Sequence, residues 1–348
     1  MKDVEQRIGE FFKRTQGSTT DTSILRLDPN GPFTYLFSQD SCGPTLLADR
    51  LRGPGIKRSL AATLLSSGAR YPSLLHLLPD VSRTQVPTDG KGAFVLAIAS
   101  KRQITLLSPE RGTVTTIGWP EKSRVTDEIK TRSELPAAVN VPAFIDVDES
   151  FPYFVTEFIQ GRTVESPVRE WRYVLDALDQ LQSWYSETRV GWVKTNLATT
   201  DLREKLNKNT QDPLIKGGLD LLRELELPDQ LSRSQTHGDI HAENLRIANG
   251  TTYILDWEHA QVEYSIRDFF MPFHQWTGST GDRDIVSKII FEEGIGRRIT
   301  AEYADRVGPE VWNGSKWHGG LFLFAILNEI SKKGQTESQA RTMLKEII

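Results

Sequence analysis

The sequence predicts an α+β protein: a small antiparallel sheet followed by a mostly helical region, with an extra segment at the N-terminus. Three observations predict it. Between residues 93 and 118 the runs AFVLAIAS, QITLLS and TVTTIG are short, apolar and β-branched, and the polar turns SKRQ and PERG separate them, as in an antiparallel meander. Beyond residue 161 apolar residues recur at helical rather than strand spacing. Inside that helical region, THGDIHAENLRIANGTTYILDWE (residues 236–258) carries two short apolar runs about Asn249-Gly250, which reads as a small hairpin between helices.

Taken in order, MKDVEQRIGEFFKR reads as a charged amphipathic helix. Residues 1–92 continue through Gly/Pro-broken pieces (DPNGP, CGP, RGPG) and a helical run, IKRSLAATLLSSG, to VPTDGKG at 86–92, which reads as a linker. After the meander, KSRVTDEIKTRSEL places Val125, Ile129 and Leu135 at helical spacing, and AFIDVD and PYFVTEF return to strand chemistry. Residues 93–160 are therefore expected to run β-β-β-α-β-β and to form one lobe, with 161–348 as a helical lobe. In the latter, REWRYVLDALDQLQSWYSE sets Trp171, Val174, Leu175, Leu178, Leu181 and Trp184 on one helix face. PLIKGGLDLLREL, DRDIVSKIIFEEG, the AEYADRV region and GGLFLFAILNEISKK read as further helices, interrupted only by the hairpin. Trp171, Trp184, Trp276 and Trp317 read as core.

Composition narrows the function. The 348 residues are 25% charged and 38% hydrophobic, ordinary for a globular protein. A net charge of −4 gives no basic field for nucleic acid. Residues 161–348 hold 23 Lys and Arg against 28 Asp and Glu, so the second half is mildly acidic. The single cysteine, Cys42, excludes a disulfide framework and a Cys-rich zinc site, and fits a reducing compartment. The run Leu321–Leu327 is too short to span a bilayer, and the first residues lack the apolar core of a signal peptide. A cytoplasmic protein with neither a membrane nor a nucleic-acid partner is expected.

The chemistry is concentrated in the hairpin region. Asp239 and Asn244 lie five residues apart in the loop that enters the hairpin, and Asp256 follows its second strand. Folding the hairpin brings Asn244 and Asp256 to one end. A carboxylate and an amide oxygen are hard ligands that suit Mg²⁺. A second carboxylate, free of the metal, would orient or deprotonate a hydroxyl. Phosphoryl transfer needs little more than a metal to offset phosphate charge and a positioned nucleophile. The bland alternative is a set of turn-capping polar residues.

HGDIHAEN followed by ILDWE resembles the catalytic loop and metal-binding segment of the aminoglycoside phosphotransferase/choline kinase family, over about residues 93–348. The resemblance implies a protein-kinase-like two-lobe fold and an ATP- and Mg²⁺-dependent kinase acting on a hydroxyl of a small polar metabolite or amino-sugar-like compound. It implies Asp239 as catalytic base, His237 bracing the loop, and Asn244 and Asp256 as Mg²⁺ ligands. It further implies Asp268 as a structural carboxylate, and a hinge in VTEFIQGRTV where the backbone of Glu157, Phe158 and Ile159 receives adenine. Glu128 would be the acid that pairs with a strand lysine. At that lysine's place stands Thr116. Lys101, beside Ser100 in the first turn, and Lys122 are the two candidate substitutes. Ser100 and backbone amides would contact phosphate in a turn that lacks the Gly-rich pattern. Thr116 also motivates a rival reading: a pseudokinase that binds nucleotide without turnover. No D-F-G or A-P-E follows the loop, which argues against a protein kinase.

Overall fold

The computed structural model describes residues 4–17, 19–27, 34–38, 81–90, 93–120, 123–165, 169–207, 212–274, 295–306, 317–332 and 337–348. The helical run at 56–68, the Gly/Pro-broken pieces, Cys42, Lys122, Trp276 and the DRDIVSKIIFEEG run lie outside the described residues. The chain forms two compact units, residues 1–133 with 142–160 and residues 134–141 with 161–348.

In the first unit, helix α1 (Val4–Gln16) is followed by β1 (Thr20–Leu27), β2 (Thr34–Phe37), β3 (Val81–Thr88), β4 (Leu96–Ala99), β5 (Gln103–Ser108) and β6 (Thr113–Gly118). Helix α2 (Val125–Ser133), β7 (Phe144–Asp148) and β8 (Tyr153–Glu157) complete it. The expected β-β-β-α-β-β order of residues 93–158 is present. The strands form one eight-stranded sheet in the order β3-β1-β2-β4-β5-β6-β8-β7, and neighbouring strands pair antiparallel throughout. The described strands of residues 1–92 thus belong to the same sheet as the meander.

The sheet's two faces follow from strand alternation. Ile117 and Tyr153 are register partners on the face that buries Val4, Ile8, Phe11 and Phe12 of α1. Arg7 fixes that helix, donating to Gly118 O from Nε at 3.1 Å and Nη2 at 2.9 Å while lying 3.7 Å over the Phe151 ring. The next pair in register, Thr116 and Phe154, turns to the opposite face, where Val125 and Ile129 of α2 pack on Phe144 and Phe154.

The linker expected at 86–92 is corrected: Val86, Pro87 and Thr88 are the last residues of β3 and pair with Thr22, Asp21 and Thr20. Proline cannot donate to a ladder, which makes Pro87 look like loop. β3 is the sheet's edge, where a missing N–H costs nothing. Asp89 and Gly90, the other described residues of the stretch, form a bend.

The second unit contains β9 (Arg162–Thr163), α3 (Trp171–Glu187), β10 (Gly191–Lys194), α4 (Thr195–Asn207), α5 (Pro213–Glu224), β11 (Gln230–Thr236), β12 (Leu245–Ala248), β13 (Thr251–Ile254), β14 (Gln261–Tyr264), α6 (Ile266–His274), α7 (Ile295–Arg306), α8 (His318–Ser331) and α9 (Glu337–Ile347). Its core is built on α8, whose residues from Gly319 to Ile330 are all buried, and on the inner face of α3. Trp171 and Trp184 are core residues, and Trp317 packs against the same cluster. Among the described residues no helix is long and apolar enough to cross a membrane.

The hairpin is not the only strand structure in this unit. The unit holds two three-stranded sheets, β10-β11-β14 and β13-β12-β9. The central strand of the first, QLSRSQT, hides from periodicity because its buried positions after Leu231 are hydroxyls. Ser232, Ser234 and Thr236 are fully buried, and Ser234 and Ser265 share a 2.7 Å hydrogen bond. Helix α4 was not among the expected elements either, although Ala198, Leu202 and Leu206 bury at four-residue spacing.

The chain enters the second unit through a close contact. A Cβ on Gly161 would lie 2.2 Å from Ile247 O, and Arg246 Nη1 donates to Gly161 O at 2.9 Å. Gly161 therefore lets β9 lie against β12, directly after Asn244. Gly161→Ala is expected to lower stability by about 1–3 kcal/mol through overpacking; unchanged thermal unfolding of that variant would refute the close-approach argument.

Candidate active site

Strand β11 delivers the chain to His237, where the site begins. His237 is fully buried and its backbone N–H donates to Asp268 Oδ2 at 2.8 Å. Gly238 N donates to Asp268 Oδ1 at 3.0 Å, and Tyr185 donates its hydroxyl to Oδ2 at 3.1 Å. Asp268, in the first turn of α6, thus fixes two consecutive amides of the loop. Burial pushes its carboxyl up from the usual range, against the pull of Arg267 and these donors.

The His237 ring has one consistent tautomer. Nδ1 accepts from Asp239 N at 3.2 Å, and Nε2, which must carry the proton, donates to Leu255 O at 2.9 Å. Burial lowers its pKa to about 4, so the ring is neutral at physiological pH. It packs edge-on against Trp257 at 4.6 Å. Leu255 is held from its other side as well, because Leu255 N donates to Asn244 O at 2.9 Å. These two bonds seat Leu255 and hence the next residue, Asp256, whose φ of 62° is left-handed, a conformation that Asp tolerates better than most side chains.

Asn244 closes a 3-10 turn, Ala242–Asn244, that His241 caps by accepting from Glu243 N at Nδ1, 3.3 Å away. The Asn244 Nδ2 group donates to Asp239 O at 2.9 Å, which leaves the side-chain oxygen as the atom able to ligate a cation. Asp239 Oδ2 lies 3.5 Å from His241 Nε2 and 3.5 Å from Asn244 Nδ2. The structure thus brings His237, Asp239, Asn244 and Asp256 together at one end of the β12–β13 hairpin. His241 and Glu258 belong to the same cluster, and His259 Nε2 lies 3.0 Å from Glu258 Oε1.

The environments of the two aspartates push them apart. At Asp239 burial acts upward, but the hydrogen bond from His241 and then the charges of His241 and His259 outweigh it and hold the carboxyl below its usual range. At Asp256 burial, then the charges of Glu258 and Asp239, push the pKa up to about 6. One acid is set to be an ionised acceptor of protons; the other is a carboxylate crowded by like charge, which a cation would relieve. Among the described residues no group of three or more His, Cys, Asp or Glu side chains is arranged to hold a metal ion. Mg²⁺ does not require one, since it takes one or two carboxylates and fills its shell with phosphate oxygens and water.

The expected nucleotide residues lie in the first unit. Lys101 is exposed in the β4–β5 turn. Ser100 closes that turn, its hydroxyl donating to Gln103 O and accepting from Arg102 N and Gln103 N, each at 3.1 Å. At the end of β8, Glu157 N donates to Ala143 O at 3.1 Å and Phe158 N to Gly112 O at 2.7 Å. The Ile159 amide makes no hydrogen bond among the described residues. Thr116 is buried in β6 on the face that α2 covers.

Glu128 of α2 is buried and pairs with Arg132 one turn later, at 3.6 Å. The Arg132 guanidinium lies 4.1 Å over Phe144 and 5.5 Å over Phe154, the register partner of Thr116, and bonds Pro142 O. Sequence reasoning missed this partner, although DEIKTR contains the i,i+4 spacing that signals it.

Two outcomes follow from these fields. The folded pKa of Asp256 lies above its unfolded value, so its contribution to stability is present below pH 3.8 and is lost as pH rises to about 6. Asp256→Asn is therefore expected to stabilise the metal-free protein at pH 7, on the order of 1–3 kcal/mol, with the gain vanishing toward pH 4; urea unfolding across that range checks both sign and window. Arg132→Met leaves Glu128 in the interior without that guanidinium and should cost about 3–5 kcal/mol, with Glu128→Gln on the same background recovering part of it. A loss no larger than that of a surface substitution would show the pair to be unimportant.

A family model described as "Phosphotransferase enzyme family" matches residues 86–303. No curated protein matches the chain. Similar solved structures include a thermostable mutant of the aminoglycoside phosphotransferase APH(4)-Ia in its apo form, 14% identical over 98% of each chain with a TM-score of 0.44. The choline kinase LicA from Streptococcus pneumoniae is 13% identical over 70% of this chain and 82% of its own, with a TM-score of 0.43. The macrolide 2'-phosphotransferase MphH from Brachybacterium faecium is 16% identical over 70% and 88%, with a TM-score of 0.44.

Proposed function

Because the chain belongs to the phosphotransferase enzyme family, we propose that it transfers the terminal phosphoryl group of ATP to a hydroxyl of a small polar molecule. One observation carries the reading: Asp239, Asn244 and Asp256 meet at one end of the β12–β13 hairpin, with Asp239 held ionised and Asp256 crowded by negative charge. In this reading the Asn244 side-chain oxygen and the Asp256 carboxylate hold Mg²⁺, which when bound offsets phosphate charge. Asp239 accepts a hydrogen bond from the acceptor hydroxyl, orients it toward the phosphorus and takes its proton as the new ester bond forms. His237 does no proton chemistry: neutral and buried, it keeps the Asp239 amide and the Leu255 carbonyl in place.

On the nucleotide side, Lys101 is the candidate cation for the phosphates, and the Ile159 amide is the hinge donor left for adenine, since the amides of Glu157 and Phe158 are engaged within the sheet. Glu128 serves α2 through Arg132 and need not meet a strand lysine.

Thr116 favours a second reading, nucleotide binding without turnover, because no cation stands on β6 where the phosphate-binding lysine is expected. One assay separates the two. Purified protein with ATP, Mg²⁺ and a panel of hydroxylated metabolites should release ADP with at least one acceptor. Asp239→Asn should reduce that rate by about 10²- to 10⁴-fold, the usual worth of a general base, while leaving nucleotide affinity and thermal unfolding near the parent's. Tight ATP binding with no acceptor-dependent ADP would support the second reading, and an unimpaired Asp239→Asn would remove that residue from the base's role.

A further inference from the structure

Directly behind the Asp239 loop lies a charged group that neither the metal site nor the base uses. Arg267, adjacent to Asp268 in α6, is buried and meets Glu329 of α8 through two parallel bonds, Nε to Oε1 at 2.5 Å and Nη2 to Oε2 at 3.1 Å. Glu329 is itself buried and also accepts from Lys332 at 2.8 Å. The third nitrogen of the fork, Arg267 Nη1, is buried and has no hydrogen-bond partner among the described residues. It points at the loop. A Cβ added to Gly238, whose φ is +79°, would lie 2.6 Å from Nη1 and 2.3 Å from His259 O. Three groups thus crowd one spot: the residue before Asp239, the carbonyl three residues after Asp256, and an unspent donor. An unsatisfied buried guanidinium N–H is costly, and a loop carbonyl that shifts toward it would be bound firmly.

We propose that Arg267 is a positioning residue whose Nη1 takes the His259 carbonyl when the loop tightens around bound nucleotide, locking the segment that carries Asp239 to the one that carries Asp256, with Glu329 of α8 as its fixed anchor. Catalytic hydrogen bonds that are long in an unliganded site commonly tighten in this way. The kinetic consequence rests on the phosphotransferase reading; the mechanical one does not.

Arg267→Lys tests it, because a lysine keeps the charge opposite Glu329 but cannot supply a fork of donors. Amide hydrogen exchange is read on the full chain with and without Mg²⁺ and a non-hydrolysable ATP analogue. Exchange in residues 237–245 and 256–260 should be about 10-fold faster in the variant, while α3 and α8 keep the parent's protection. In the ADP assay kcat should fall about 10- to 100-fold with the nucleotide KM within about threefold. Unchanged exchange in both segments, or faster exchange spread evenly through α3 and α8, would overturn the proposal. Should Arg267→Lys fail to fold, Glu329→Gln decides, since it leaves Arg267 intact and weakens its anchor along with the Lys332 contact on the same carboxylate; the same local pattern is expected there. A parent protein that releases no ADP with any acceptor would count against the phosphotransferase reading, and the exchange measurements would still decide the role of Arg267.

Discussion

The active-site region hangs on the buried carboxylate of Asp268. It receives the amides of His237 and Gly238 and the Tyr185 hydroxyl, so helix α6, the long core helix α3 and the loop after β11 are fixed to one another at a single point. A buried acid without such donors would be expensive; with three it becomes a rigid post. From that post the order propagates by short steps. His237 is held at both ring nitrogens, its Nε2 holds Leu255, and Leu255 also holds Asn244, so Asp239, Asn244 and Asp256 inherit their places from one hydrogen-bonded chain. Gly238 is needed where it stands because any side chain there would meet the His259 carbonyl and Arg267.

The electrostatics of the same loop show how one scaffold gives two aspartates different roles. His241 and His259 stabilise the ionised form of Asp239, whereas Asp256 sits beside Glu258 and Asp239 and is destabilised by them. His237 adds an opposite dependence on pH. Its folded pKa of about 4 lies below the unfolded value of 6.5, so the unfolded chain takes up the proton first and the fold weakens as pH falls through that interval. Asp256 weakens the fold as pH rises over nearly the same interval. The two slopes oppose each other over that interval.

In the first unit the sheet solves a different problem. Thr116 and Phe154 face α2 together, and Arg132 lies over Phe154 with Glu128 beside it. The acid on α2 is thereby neutralised by an arginine of its own helix, and the ring stacking and the Pro142 carbonyl hold that arginine in the interior. A cation on β6 is not required to keep α2 seated, which is compatible with a threonine at residue 116.

Much of this was legible in the sequence. Residues 93–158 alternate in ways that only strands and one helix satisfy, Asn249-Gly250 marks its hairpin because both residues accept positive φ, and the ligand chemistry of Asp239, Asn244 and Asp256 follows from residue type and spacing. Such signals are local: each depends on residues a few positions apart, whose relation the backbone geometry fixes. What escaped depends on partners far along the chain. β11 is a central strand that buries serine and threonine beside Leu231, and Ser265, the residue after β14, supplies a matching hydroxyl to Ser234. Pro87 is a strand residue only because β3 ended up at the sheet's edge. The His237 tautomer, the crowding of Asp256 by Asp239 and the aim of Arg267 at Gly238 arise from groups 17 to 29 residues apart meeting in a dry interior. The sequence by itself determined which elements form and which atoms are able to do chemistry; tertiary packing alone decided which of those atoms are charged, held and facing one another, because burial and proximity set a group's energy and neither can be read from spacing.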